Sequence, residues 1–309
     1  MSAVGAGASA PRWRTWVALA GGVLIVSTAA ILIREAQAAG VPSLAIAAWR
    51  LVGAALLLAP FVLALRRAEL AALPARDHWL GMASGLFLAL HFATWIASLE
   101  YTSVASSVAL VTTNPIWIAL FSFLVLRERL PVARVIAVAV AIAGSLIVLV
   151  DDGSSAATHA PRPALGNALA IGGALAVCGY LLIGRRLRAH VSLLAYVGIV
   201  YAVAGAALIV AALASGVPLW GYSAGAWILL AALALGPQLL GHGAVNYALK
   251  EVSPTVIALA VLGEPIGAAL LAWLLMGEGI GPVKLCGLAL LLAGIFLAAR
   301  SESRAPAPA

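Results

Sequence analysis

The chain has 309 residues, 64% of them hydrophobic and 9% charged, with 18 Lys and Arg against 11 Asp and Glu. An ordinary soluble domain is about 25% charged, so a water-soluble enzyme and a nucleic-acid binder are excluded and a polytopic membrane protein is left. Cys178 and Cys286 both lie in apolar runs, which excludes a disulfide framework, a CxxC motif and a Cys-based metal site.

About 20 mainly apolar residues carry a helix across a bilayer. Ten such stretches follow one another, at 15–36, 43–65, 79–99, 104–126, 132–150, 164–185, 192–214, 224–248, 254–276 and 283–299. Their periodicity is helical and not the alternation of a membrane barrel. The first has a basic lead and ends near Ala36-Gln37-Ala38, which resembles a secretory signal with its cleavage site. Its length and the internal symmetry described below argue that it stays as a span. The most polar connection, 151–163, contains Gly-Ser-Ser and two prolines and reads as the linker between two halves, 1–150 and 164–300, with a tail at 301–309.

With the N-terminus inside, fourteen cations fall on cytoplasmic segments: Arg12, Arg14, Arg66, Arg67, Arg76, Arg127, Arg129, Arg134, Arg185, Arg186, Arg188, Lys250, Arg300 and Arg304. Only Arg34, Arg162 and Lys284 fall outside, and Arg50 lies within a span. Loop cations concentrate on the cytoplasmic side, so both termini are expected there, in the cell inner membrane. The formal charge of +7 therefore reports topology and not an acidic partner. Trp13, Trp16, Trp79 and Trp227 sit at span ends, as interfacial anchors do.

The two halves match at an offset of 150 without a gap. Leu99, Ser103, Val111, Pro115, Ile116, Glu128 and Gly144 recur as Leu249, Ser253, Val261, Pro265, Ile266, Glu278 and Gly294. Five spans per half is an odd number, so the copies must enter the membrane upside-down relative to each other. Inverted repeats around a midplane site are an architecture of secondary transporters. The expected fold is therefore an all-α membrane protein of ten transmembrane helices in two inverted five-helix repeats.

Tyr101-Thr-Ser-Val-Ala, Asn114-Pro115-Ile116 and Leu126-Arg-Glu128-Arg-Leu130 resemble the EamA signature, as do Gly263-Glu264-Pro265-Ile266 and Met276-Gly-Glu278. The resemblance to EamA proteins of the drug/metabolite transporter superfamily covers almost the whole chain. It implies ten helices in two inverted repeats and a transport function. Within the superfamily the chain looks most like the YddG-type exporters of aromatic and other amino acids. The second copy carries Gly277-Glu-Gly279 where the first carries Arg127-Glu-Arg129, in keeping with a copy that faces the periplasm.

No HExxH or Walker A motif is present, and no enzyme chemistry, cofactor or metal is expected. The candidates are polar groups at membrane depth, where each is costly. Asn114-Pro115 and Glu264-Pro265 sit at the centres of repeat-related spans, and with Pro237 these prolines are candidate hinges. Glu264 has three readings: a neutral proton-exchanging group, a partner for a cargo ammonium, or a helix fastener bonded internally. Arg50 has two: a structural pairing with Glu35, Glu100 or backbone carbonyls, or a seat for a cargo carboxylate.

Gln238, His242 and Asn246 recur every four residues and share one stripe. Ser84, Leu88, His91 and Trp95 form another on the repeat-related span. Both stripes are candidate linings of a central cavity, with the packing of satisfied side chains as the plain alternative. Trp95, Trp117 and Tyr180 lie away from span ends and are candidate aromatic walls. Gly81xxxGly85 and Gly263xxxGly267 permit close helix approach. Together these describe export of small amphipathic metabolites, amino acids foremost, by alternating access, with the bilayer and protons as further partners. Another cargo on the same fold, a membrane-embedded enzyme using His91, His242 and Glu264, and a channel or receptor are the rival readings.

Overall fold

The structure is a computed structural model that describes residues 12–114, 116–117, 120, 132–154, 161–248, 250, 260–261, 263–277 and 279–302. Pro115, Glu128 and Glu278 lie outside these residues. The described chain is helical and contains no strand. Its elements are α1 (Arg12–Ser27), α2 (Ala29–Ala38), α3 (Ser43–Leu65), α4 (Arg67–Ala72), α5 (Ala75–Ser98) and α6 (Val104–Val111). They continue with α7 (Val132–Ser154), α8 (Pro163–Arg188), α9 (Leu193–Ala214), α10 (Ala224–Leu233), a π-helical segment (Ala234–His242), α11 (Gly243–Ala248), α12 (Gly263–Met276) and α13 (Pro282–Glu302).

Six described spans are long and apolar enough to cross a membrane: Trp13–Ala38, Ser43–Leu65, Ala75–Ser98, Pro163–Arg188, Leu193–Ala214 and Ala224–Ala248. Shorter apolar stretches occur at Val135–Gly144, Gly263–Met276 and Pro282–Gly294. The local chemistry sets the ends. Ser103, Ser192 and Ser223 accept hydrogen bonds from backbone N–H groups in the first turns of α6, α9 and α10. Pro163 begins α8, where a missing N–H costs nothing.

Two features depart from the sequence expectation. The first span is broken at Thr28, because Ser27 Oγ and Thr28 Oγ1 turn back onto the carbonyls of Val23 and Ile25 at 2.9 and 2.7 Å. Hydroxyls bonded this way loosen and bend a helix. The expected linker of 151–163 is also shorter than its composition suggests, since α7 runs on through Ser154.

The burial pattern is inside-out relative to a soluble protein. Leu24, Leu56, Ile228 and Leu275 are exposed, whereas Arg50, Ser84, Ser98, Gln238 and Asn246 are buried. An apolar exterior this extensive fits lipid, and polar groups turned inward must be satisfied by protein.

Packing follows the repeat. α3 lies against α9, its counterpart 150 residues on, with Gly205 against Val52 and Gly198 against Val62. α7 lies against its counterpart α13, with Gly144 against Gly287 and Gly294 against Ala141. In both pairs rising numbers on one helix meet falling numbers on the other, so the paired helices run antiparallel. α5 packs on α8, and the equivalent π segment and α11 pack on α1. Gly81 and Gly85 touch Ile199 and Val203 on α9, while Gly263 and Gly267 touch Val23 and Ser27 on α1.

The α7–α13 seam is tight enough to test. A Cβ on Gly144 would lie 2.7 Å from the Gly287 carbonyl, and one on Gly294 would lie 2.5 Å from the Ala141 nitrogen. Both obstacles are backbone and cannot swing aside. Gly172, also helical, has nothing within 4 Å of such a Cβ. Thermal unfolding in detergent should show Gly144→Ala destabilised by about 1–3 kcal/mol, the cost of overpacking. Gly172→Ala should be neutral or stabilised by up to about 1 kcal/mol.

Candidate functional site

Arg50 sits in the first half of α3 among the buried Ile46, Ala47, Leu51 and Ala54, so the face that packs into the bundle carries the guanidinium with it. Its Nε donates to Gln238 Oε1 at 2.8 Å. Its Cζ lies 4.1 Å from the centre of the Phe92 ring and 5.9 Å from that of Trp95. A desolvated cation over an aromatic face gains on the order of 2 kcal/mol. Nη1 and Nη2 are buried with no hydrogen-bond partner among the described residues. The pairing with Glu35 or Glu100 is therefore corrected: Glu35 and Glu100 are both exposed, and Glu100 accepts from Ser43.

Gln238 reaches Arg50 because of the π segment. Four residues overshoot a 3.6-residue α turn and fall short of the wider i→i+5 turn. Passing from one winding to the other, Gln238 and Asn246 fall on nearly the same line, where a continuous α-helix would splay them. Pro237, a candidate hinge, lies inside this segment. Its missing N–H is accommodated by the altered winding, as expected at π insertions.

The aromatic floor comes from α5. His91 Nδ1 lies 2.9 Å from the Gly173 carbonyl; a carbonyl only accepts, so this nitrogen carries a proton. The His91 ring stacks on Trp95 with centres 5.9 Å apart, and His242 meets the Phe92 edge at 5.5 Å. Trp95 is buried and its Nε1 has no partner among the described residues.

A second polar layer lies beside the first. Tyr180 OH donates to Asn246 Oδ1 at 2.7 Å, and Asn246 Nδ2 is left without a partner among the described residues. The Tyr196 and Ser84 hydroxyls share a hydrogen bond of 2.9 Å. Tyr201 OH stands 3.5 Å from the Gln238 carbonyl, linking the layers. The sequence expectation had not included Tyr196, Tyr201 or Phe92. A tyrosine within an apolar span was the available signal for the first two, since a buried hydroxyl needs a partner.

His91, Trp95, Tyr180, Gln238, His242, Asn246 and Arg50 are thus brought together by α3, α5, α8, the π segment and α11. Asn114 and Trp117 are not part of this network. The Trp117 indole donates to Thr113 Oγ1 at 2.9 Å, and the Asn114 carbonyl meets Cys178 Sγ at 3.4 Å. Glu264 is buried in the first turn of α12 beside Pro265, within electrostatic reach of Arg50. Among the described residues it makes no hydrogen bond. Nor do three His, Cys, Asp or Glu side chains group there as a metal site would require.

Both ends of the bundle carry ties between the repeats. In the α3–α5 connection, Glu69 accepts from Ser192 N and Oγ, both at 2.7 Å, which caps α9. Asp77 pairs with His190 at 2.7 Å. Burial alone would raise the Glu69 pKa, but the Ser192 bonds and nearby Arg66 outweigh it and hold the carboxyl below its ordinary value. At the other end, Trp49 Nε1 donates to the Leu219 carbonyl at 2.8 Å and its ring packs on Trp220 and Trp227.

The buried Arg50–Gln238 bond should carry stability. Gln238→Met keeps the volume but leaves Nε without an acceptor. Thermal unfolding should fall by about 1–3 kcal/mol, the cost of orphaning a buried donor, while Leu240→Met on the exposed face should change little. Equal stability of the two variants would contradict the placement.

A family model described as the EamA-like transporter family matches this chain twice, over residues 13–150 and 164–300. A riboflavin transporter from Rhizobium johnstonii is 34% identical over 108 residues, which is 35% of this chain and 35% of that protein. The match therefore spans about a third of the relative's length. A crystal structure of a protein superposes with a TM-score of 0.65 over 93% of this chain and 97% of its own, at 20% identity. At that identity the likeness concerns the fold alone.

Proposed function

This chain belongs to the EamA-like transporter family, membrane transporters of small molecules, and we propose that it exports small amphipathic metabolites from the cytoplasm, aromatic amino acids foremost. The observation that carries this reading is the cluster around Arg50: unpartnered polar nitrogens beside Phe92, Trp95 and His91, inside an apolar bundle. A cargo with a polar head and a ring would satisfy both.

The proposed setting is the inner membrane, with ten spans in two inverted five-helix repeats and both termini in the cytoplasm. The antiparallel packing of α3 on α9 and of α7 on α13 supports the inversion. Alternating access would proceed by bending at Pro115, Pro237 and Pro265, while one set of end ties opens and the other holds. Glu264, buried and unbonded among the described residues, is the proposed proton-exchanging group. Asn114 and Trp117 are proposed to line the path on the α6 side.

A second reading takes a flat heteroaromatic cargo, favoured by the resemblance to a riboflavin transporter over 108 residues. Counterflow in proteoliposomes separates the two. The leading reading expects exchange of labelled phenylalanine, insensitive to added riboflavin and about 10–100-fold weaker in Arg50→Gln, the loss of one charged hydrogen-bonded contact. A pH gradient should drive it, and Glu264→Gln should abolish that drive. Riboflavin counterflow without amino-acid exchange would overturn the reading in favour of the second.

A further inference from the structure

The fully buried unsatisfied polar atoms of the cluster are all of one kind. Arg50 Nη1 and Nη2, Trp95 Nε1, Gln238 Nε2 and Asn246 Nδ2 are buried nitrogens without partners among the described residues, and every one is a donor. The amide oxygens beside them each accept a hydrogen bond already: Gln238 Oε1 takes the Arg50 Nε hydrogen and Asn246 Oδ1 takes the Tyr180 hydroxyl. Gln37 Oε1, the one fully buried oxygen without a partner among the described residues, belongs elsewhere, at the end of α2, where its amide nitrogen bonds Ser43 and the Ile96 carbonyl.

We propose that this site reads its cargo through a carboxylate seated on Arg50 Nη1 and Nη2, with Trp95 Nε1 and Gln238 Nε2 as flanking donors, and that an ammonium on the cargo is dispensable. The proposal rests on the transport reading above and names the head group that reading leaves open. A carboxylate offers two oxygens and about four lone-pair sites and accepts from arginine in a two-pronged fashion. It therefore matches a site whose fully buried unpartnered atoms are all donors. A water molecule would bring its own hydrogens and need acceptors in return.

The charge argument points to a monoanion. Arg50 is the cation with open guanidinium nitrogens, since Arg188, at the Asn246 end of the cluster, donates to the Asn246 and Val191 carbonyls. Glu264 stands within electrostatic reach of Arg50, so a doubly charged head such as a phosphate dianion would meet one available cation and a nearby carboxylate. Glu264 makes no hydrogen bond among the described residues, but its carboxylate is not fully sealed from solvent as the nitrogens are. It retains some exposure, and its helix α12 packs against α1 and α6 while the donors line α3, α5 and the π segment.

The aromatic neighbours fix the orientation. The Arg50 plane is held against Phe92 while its Nε is fastened to Gln238, which leaves the far edge of the guanidinium as the free one. Trp95 stacks on His91, which is itself fastened to the Gly173 carbonyl, so the indole N–H is held in place before any ligand arrives. Preformed donors of this kind lose little freedom on binding.

The test is a binding series on the purified full chain in detergent, read by thermal shift and by displacement of labelled phenylalanine or, should that not bind, of labelled 3-phenylpropionate. The ligands are phenylalanine, 3-phenylpropionate (carboxylate without amine) and phenethylamine (amine without carboxylate). The proposal expects 3-phenylpropionate to bind within about threefold of phenylalanine. Phenethylamine should bind at least about 100-fold more weakly, the scale on which a hydrogen-bonding site rejects a ligand lacking its partner. Trp95→Phe, which keeps a ring and removes the donor, should weaken both carboxylates by about tenfold. Amine binding as tight as phenylalanine, unchanged carboxylate affinity in Trp95→Phe, or no binding by any carboxylate would each overturn it. Carboxylate binding without amino-acid transport would uphold this inference and remove the export reading. Amino-acid transport with an equally well-bound amine would do the reverse.

Discussion

A guanidinium removed from water must be compensated by the protein around it, and Arg50 organises this molecule by that requirement. An isolated cation in a low-dielectric interior costs several kcal/mol even after relaxation. The compensation here comes from three directions: Gln238 Oε1 on Nε, the face of Phe92, and the field of Glu264. Each belongs to a different helix. The π segment presents Gln238, α5 presents Phe92 and α12 presents Glu264, so α3 is tied to the centre of the bundle through one side chain. Removing the bond would leave a buried donor and a misplaced charge together. Because only Nε is satisfied, the arrangement also leaves the outer nitrogens to whatever enters.

The scaffold repeats but its chemistry does not. At the offset of 150, Arg50 corresponds to Val200, Gln238 to Leu88, Asn246 to Ile96 and Tyr180 to Ala30. The antiparallel pairing of α3 with α9 and of α7 with α13 requires small residues at the crossings, and Gly144 and Gly294 answer each other there. The polar cluster needs no such symmetry and is built off to one side of it. The end ties show the same divergence. Glu69 and Asp77 hold Ser192 and His190 at one end, while Leu219 and Trp227, their counterparts, hold Trp49 at the other. One tie is made of carboxylates and their hydrogen-bond donors, the other of an indole hydrogen bond and packed rings. An opening transition that breaks one of them therefore faces different physics from one that breaks the other.

Much of the helical plan was legible because bilayer thickness and backbone satisfaction leave few choices. The limits 43–65 and 224–248 read from the sequence coincide with α3 and with the span from α10 to α11. The Gly81xxxGly85 pair was legible as a close approach, since small residues at four-residue spacing have little other use in a membrane helix. The break at Thr28 was not, because two adjacent hydroxyls bend a helix only when both turn to the backbone. Arg50 was recognisable as costly, yet its partner lies 188 positions away and no local pattern points to it. Tyr196 and Tyr201, five residues apart, sit on no α-helical stripe and escaped a periodicity reading. Asn114 and Trp117 looked equivalent to the other mid-span polar groups, but Trp117 is satisfied by its own helix at Thr113. The residues that the structure does bring together share one property: each has a donor its own helix cannot occupy.

The most direct measurement is an experimental structure of the protein with a bound aryl carboxylate, at a resolution that places its two oxygens. The account predicts both oxygens within about 3 Å of Arg50 Nη1 and Nη2, with the ring beside Phe92 and Trp95 and the Arg50–Gln238 bond intact. A ligand bound elsewhere in the bundle, with both guanidinium nitrogens still unpartnered, would contradict it.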